Sequence, residues 1–357
     1  MRRLAPSLAA ICLFAASAAS PAHAQANARA DICAADDDSA FAPEQRIASC
    51  TALIKSAKGA QKDRAPLFVN RGAAYWYVDK VKSAIADFDR AIALDPSYAR
   101  AYHGRARAYR SAGKLAKALA DASEAVRLDP RDSRAFDARG NIFNDQRKYD
   151  RAIEDYDEAI RLDPRNSVAW RDRGAAYYFK NDYERAIKEY DEAIRLDPRS
   201  DRAYANRAVA YKKLGKAAQA FVDENEAIKL DPKQPTYFDN RGLSYSEEGQ
   251  YDRAIIDFSE AIRLAPRSKF FTNRGNAYQA KGQYGRAIAD YNRAIRVDPT
   301  NANAYNNRGA AYRNKGNLRR AIDNYEKALR LDPKMDTAKE NLEVVKLELA
   351  RERRSRR

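Results

Sequence analysis

Residues equipped for nucleophilic, redox or metal chemistry are scarce in this sequence: 2 histidines and 3 cysteines among 357 residues, against 50 aspartates and glutamates. His103 stands alone, and Cys33 and Cys50 have neither Cys-x-x-Cys spacing nor histidine neighbours that would make a redox couple or a metal cage. The carboxylates could supply a general acid and base. They recur at the same places in one segment after another, however, whereas a catalytic pair is needed once. The run Arg71 to Tyr75, Arg-Gly-Ala-Ala-Tyr, lacks the glycine spacing that exposes adjacent amides to a phosphate. No catalytic residue, metal ligand or cofactor is expected, and the chain does not read as an enzyme.

Side chains suited to holding another polypeptide are placed more regularly. Asn70, Asn206, Asn240, Asn273 and Asn307 share one equivalent position, interrupted by Gly104, Ala138 and Asp172. An amide offers a donor and an acceptor, as a peptide backbone does, so such a column can grip an extended chain with little regard to its side chains. Duplication of a soluble consensus would leave the same column, and the residues alone leave both readings open. Trp76, Tyr77, Tyr178 and Phe179 stand where most other segments are polar, either as anchors for a partner or as extra helix-packing surface. Arg107, Arg110, Lys212 and Lys213 add positive charge nearby. Asp137, Asp145, Asp239 and Glu247 interrupt it, so the surface is mixed in sign and is no channel for a polyanion.

The elements that position these side chains repeat. Asp-Pro pairs at Asp95, Asp129, Asp163, Asp197 and Asp231 set a period of 34 residues, continued in register by Ala265-Pro266 and resumed at Asp298 and Asp332 after the loss of one residue. That loss should shorten one turn and leave the fold unchanged. A column of small residues (Gly72, Ala106, Gly140, Gly174, Ala208, Gly242, Gly275, Gly309) is followed three residues later and preceded four residues earlier by aromatics, from Phe68 and Tyr75 to Tyr305 and Tyr312. Offsets of three and four put them on one face of a first helix. A second amphipathic helix begins near Ala84-Ile85 and continues through Phe88, Ala91 and Ile92. It stops before the proline, whose ring disfavours helix at the preceding residue. Ala122 and Glu224 replace the second-helix aromatic in copies 2 and 5, which should be the softer joints. An arginine column from Arg71 to Arg308 is answered by an acidic column from Asp87 to Asp290, broken at Asn324, and should form pairs between packed helices.

These columns together resemble the tetratricopeptide repeat, in eight nearly full motifs between Ala65 and Met335. The resemblance implies an all-α fold, a right-handed superhelical α-solenoid of helix-turn-helix repeats whose first helices line a concave surface. It also implies a protein-protein interaction scaffold that holds a protein or peptide in that groove. The asparagine column is similar to the amide ladder in the tetratricopeptide array of protein O-linked N-acetylglucosamine transferases, where it holds the backbone of an extended peptide. Nothing here resembles the transferase domain.

The ends complete the organisation. Arg2 and Arg3, the apolar run Leu8 to Ala18 and the exit Ala22-His23-Ala24 have the layout of a secretory signal peptide, so residues 1–24 are expected to be removed and the protein to be exported, periplasmic or secreted. Loss of Arg2 and Arg3 takes the formal net charge from +16 to +14. Export argues against nucleic acid as a partner, and no later segment has the length of apolar chain a membrane span requires. In an oxidising compartment Cys33 and Cys50 should form a disulfide within a segment, residues 25–64, that ends in a capping helix. Residues 65–335 hold the eight repeats, and 336–357 a second capping helix with a basic tail. That tail, Arg351 to Arg357, raises a second expectation: a mainly structural envelope component touching anionic lipid or wall polymer.

Overall fold

The structure, a computed structural model, describes residues 21–35, 41–57 and 60–355. Among these residues every regular element is helical, as expected. The apolar run assigned to a signal peptide lies outside the described residues. The expected cleavage point before Gln25 falls within α1 (Pro21–Ala34), which pairs with α2 (Pro43–Ser56). Cys33 and Cys50, both buried, join these two helices by a disulfide with Cα atoms 4.9 Å apart.

The helices fall into two compact units dividing after Asp163. In the first, copies 1 to 3 are α3 (Ala65–Tyr77) with α4 (Val81–Leu94), α5 (Ala99–Ser111) with α6 (Leu115–Leu128), and α7 (Ser133–Asp145) with α8 (Tyr149–Leu162). In the second, copies 4 to 8 are α9 (Ser167–Phe179) with α10 (Tyr183–Leu196), α11 (Asp201–Lys213) with α12 (Ala217–Leu230), α13 (Pro235–Glu247) with α14 (Tyr251–Leu264), α15 (Ser268–Ala280) with α16 (Tyr284–Val297), and α17 (Ala302–Asn314) with α18 (Leu318–Leu331). α19 (Asp336–Ser355) closes the second unit, burying Ala338, Leu342 and Val345 beside Leu318 and Tyr325.

The turn inside each copy places one residue in the left-handed region. Glycine serves at five of these positions, and Asp79, Arg147 and Asn181 stand at the others. Asp and Asn tolerate that conformation through local hydrogen bonding, whereas Arg147 carries the steric cost in full. Between copies, the aspartate of Asp-Pro accepts the amide two residues ahead, as in Asp95 with Ser97 and Asp298 with Thr300. Ala265 cannot do this. Its link is the short one, running from Leu264 to Ser268.

The small column and the second-helix column are one packing device. A Cβ at Gly72, Gly140, Gly174, Gly242, Gly275 or Gly309 would come within 2.6 to 3.0 Å of the Phe or Tyr ring sixteen residues on. Those six rings are almost fully buried. Where the ring is missing, at Ala122 and Glu224, the facing residue is Ala106 or Ala208. Glycine here is therefore the room for a ring, and alanine is allowed only where there is none.

The arginine column binds the helices together. Arg71, Arg105, Arg139, Arg207, Arg241 and Arg274 each grip the aspartate sixteen residues on through two hydrogen bonds of 2.6 to 2.9 Å, and Arg173 holds Glu189. The guanidinium groups of Arg71, Arg105, Arg139, Arg173, Arg207 and Arg241 lie over first-helix rings, Arg173 at 4.6 Å from the Trp170 centroid. Third arms reach the preceding copy's second helix, as from Arg105 to Asp89 and from Arg207 to Asp191. Arg308 alone in the column lacks a carboxylate. It donates to Asn324 and Asn292 at 2.8 and 2.6 Å, and burial without a compensating charge lowers its pKa from the usual value. Asn324→Asp should supply the missing charge-assisted pair and stabilise α17 and α18 by about 1 kcal/mol, read as slower hydrogen exchange in those helices. Unchanged or faster exchange would mean that the bond from Asn324 Nδ2 to the Arg320 carbonyl, 2.7 Å long, matters more than the charge.

Candidate functional site

A first helix of 13 residues packs its small and aromatic columns on its own second helix, so the residues between those columns are left to face the next first helix or solvent. Rungs about 35 residues apart result. In the first unit Trp76 Nε1 donates to Ser111 Oγ at 2.8 Å and Arg110 pairs with Asp145 at 2.5 Å. In the second, Lys212 pairs with Glu247 at 3.5 Å, Asn273 Nδ2 donates to Asp239 at 2.7 Å, and Asn307 Nδ2 donates to Asn276 at 2.8 Å.

The residues singled out for binding thus separate by what they already touch. Trp76 packs in the core of copy 1, with the Arg107 guanidinium 4.3 Å from its ring centroid. Tyr178 packs against the buried cluster that holds Ile187 and Tyr190. Their neighbours Tyr77 and Phe179 are the outward members of each pair, 41% and 52% exposed, and each meets its partner edge to face. Arg110 and Lys212 are neutralised by the acidic residues expected to interrupt the charge, and Lys213 is exposed.

The amide column divides too. Asn273 and Asn307 are engaged by neighbouring copies. Asn307 Oδ1 also accepts from Asn306, whose own Oδ1 accepts from Asn341 at 3.2 Å. Asn206 on α11 and Asn240 on α13 are half-buried, and their side-chain amides have no hydrogen-bond partner among the described residues. Asn70 lines a cavity in the first unit with Trp76, Arg107 and His103. Gly104 breaks the column beside that cavity for a steric reason: a Cβ there would meet the Phe88 ring at 2.4 Å.

Sequence reasoning missed two buried charged residues. Arg46 on α2 is 4% exposed although it sits outside the apolar stripe of Ile47, Cys50, Leu53 and Ile54. Asp239, expected as a charge on the binding surface, is instead fully buried, held by Asn273 and by Lys269 Nζ at 2.9 Å. The Asn that answers Asp239 one period later was the available signal. Among the described residues no group of His, Cys, Asp and Glu could hold a metal ion, and no helix is long and apolar enough to cross a membrane.

Residues 140–180, 174–215 and 275–316 match a sequence model described as TPR repeat, and residues 69–133, 201–234, 235–268 and 302–335 match models described as tetratricopeptide repeat. No curated protein matches the chain. A chain in the crystal structure of the APC/C hetero-tetramer Cut9-Hcn1 superposes with a TM-score of 0.61 at 18% identity, over 90% of this chain and 66% of its own length. A tetratricopeptide repeat protein from Parabacteroides merdae gives 0.53 at 21% identity, over 69% of this chain and 98% of its own. At these identities the likeness is one of fold.

Proposed function

The chain belongs to the tetratricopeptide repeat family, and from that premise we propose that it is a non-catalytic scaffold that binds an extended segment of a partner protein along the first helices of its second unit. One observation carries this reading: Asn206 and Asn240, on successive first helices, present amides that no side chain among the described residues engages. The column is therefore not wholly explained by contacts between copies. Phe179, 52% exposed on α9, supplies an apolar surface in the same unit. Export from the cell is part of the proposal. It is supported by the layout of residues 1–24 and by a disulfide that oxidising compartments preserve, and sequencing the amino terminus of the protein recovered from cell fractions tests it.

The binding test begins with crosslinking capture of the partner from the native envelope. Asn206→Ala with Asn240→Ala should then leave circular dichroism unchanged and weaken binding of the captured partner by at least about fivefold, since each lost hydrogen bond contributes about 0.5–1.5 kcal/mol. Unaltered affinity would remove the amides from the binding surface.

A further inference from the structure

The helix α19 buries one stripe of side chains and leaves a second, equally regular one in solvent. Ala338, Leu342 and Val345 face α18, and Glu348 is held by Arg313 of α17. Turned away from them, Thr337, Glu340, Val344, Leu347, Arg351 and Arg354 follow one another at alternating steps of three and four, and all six are exposed. Val344 is 41% exposed and Leu347 60%. Such steps keep residues in line along the seam between two paired helices. Leu347 also stands one period after Arg313, at the position from which a first helix reaches its successor, as Trp76, Arg110, Lys212 and Arg313 each do by bonding 35 residues ahead. Among the described residues no helix succeeds α19.

The exposed stripe is acidic near its start and basic at its end, and neither Glu340 nor Arg351 nor Arg354 forms an ion pair among the described residues. Reversed and laid beside itself, it answers itself. About the midpoint between Val344 and Leu347, each of these two meets the other, Glu340 meets Arg351, and Thr337 meets Arg354. A parallel copy would set glutamate on glutamate and arginine on arginine. We propose that this face of α19 docks the same face of a second copy, with the two helices antiparallel about a two-fold axis. Two-fold pairing makes every contact twice, so the apolar pair forms the centre and the ion pairs flank it on both sides. Helices of 20 residues meet over about 30 Å, a seam smaller than a standard interface, so the dimer forms at micromolar concentration and is not obligate. α19 lies outside the eight copies, and the pairing does not depend on the protein-binding reading.

The test is sedimentation velocity of the full chain from about 1 to about 200 µM, across which it should pass from monomer to dimer. Leu347→Asp should weaken self-association by at least about tenfold, and Glu340→Arg, which sets arginine against Arg351, by at least about fivefold. Glu340→Arg combined with Arg351→Glu should return it to within about twofold of wild type, because the exchanged charges face each other again. That recovery separates a broken contact from a broken fold. A monomer throughout the range, a dimer indifferent to Leu347→Asp, or a double reversal that restores nothing would each overturn the proposal. So would a monomer that binds anionic lipid vesicles through Leu347, which would give the face to a membrane surface.

Discussion

Replacing Glu224 by Gln is expected to stabilise α12 and α13 at about pH 8 and to change them little at about pH 5. Glu224 occupies the place that a phenylalanine or tyrosine ring holds in six other copies, and it is 4% exposed. Its Oε1 accepts from Ser244 Oγ at 2.6 Å, while Oε2 is buried with no hydrogen-bond partner among the described residues. Burial dominates, and raises the carboxyl pKa from 4.5 to about 7 despite the opposing effects of Ser244, Lys212 and Arg241. A carboxyl whose folded pKa lies above its unfolded value binds its proton more tightly when folded. Its stabilising contribution is thus complete below about pH 4.5 and is lost as pH rises through about 7. The size of that loss is about 3 kcal/mol, taken from the shift between those two values. Glutamine keeps the acceptor for Ser244 and cannot ionise. Because repeat arrays need not unfold in one step, hydrogen exchange at the amides of α12 and α13 is the suitable measurement. Equal protection of wild type and variant at both pH values would show that Glu224 is charged and solvated in the folded protein.

The same residue shows how far the sequence could be read. A period of 34 with aromatic, small and Asp-Pro columns is legible because every copy repeats the same packing solution, and eight restatements average away the local exceptions. Copies 2 and 5 stood out as lacking a ring, and the α12 to α13 junction is the most thinly packed within its unit. The cavity beside Asn70 was not legible, since it is assembled from α2, α3, α5 and α7, and of its arginines only Arg100 and Arg134 share a repeat position. Arg46 lies outside any apolar pattern, and Gly104 looked like a gap in the amide column although the Phe88 ring dictates it. The amide column was visible as a column. Which of its members the protein itself engages depended on Asp239 and Asn276, whose partnership spans two copies.

Gly275→Ala should be among the most damaging single substitutions in the second unit, although alanine is the better helix former by about 1 kcal/mol. The new methyl would stand 2.6 Å from Tyr291 Cε1, closer than van der Waals contact allows. The ring cannot retreat cheaply: it is fully buried, and the single proton of its hydroxyl has Asn276 Oδ1 at 2.8 Å and Gln279 Oε1 at 3.1 Å as acceptors. Overpacking of a tight core costs about 1–3 kcal/mol, and the lost hydrogen bond adds to it, so the steric cost exceeds the propensity gain. Removing the ring as well reproduces the arrangement of copy 2, where Ala106 faces Ala122. Tyr291→Ala alone leaves a cavity and should cost about 3–5 kcal/mol. Added to Gly275→Ala it should cost about 1–2 kcal/mol less than the sum of the two single changes, because the alanine methyl enters space that the ring has left. The double-mutant cycle is measured by local unfolding free energies from hydrogen exchange in α15 and α16. Strict additivity would mean that glycine and ring do not share the space between them, and that the alternation of glycine with alanine along the array has another cause.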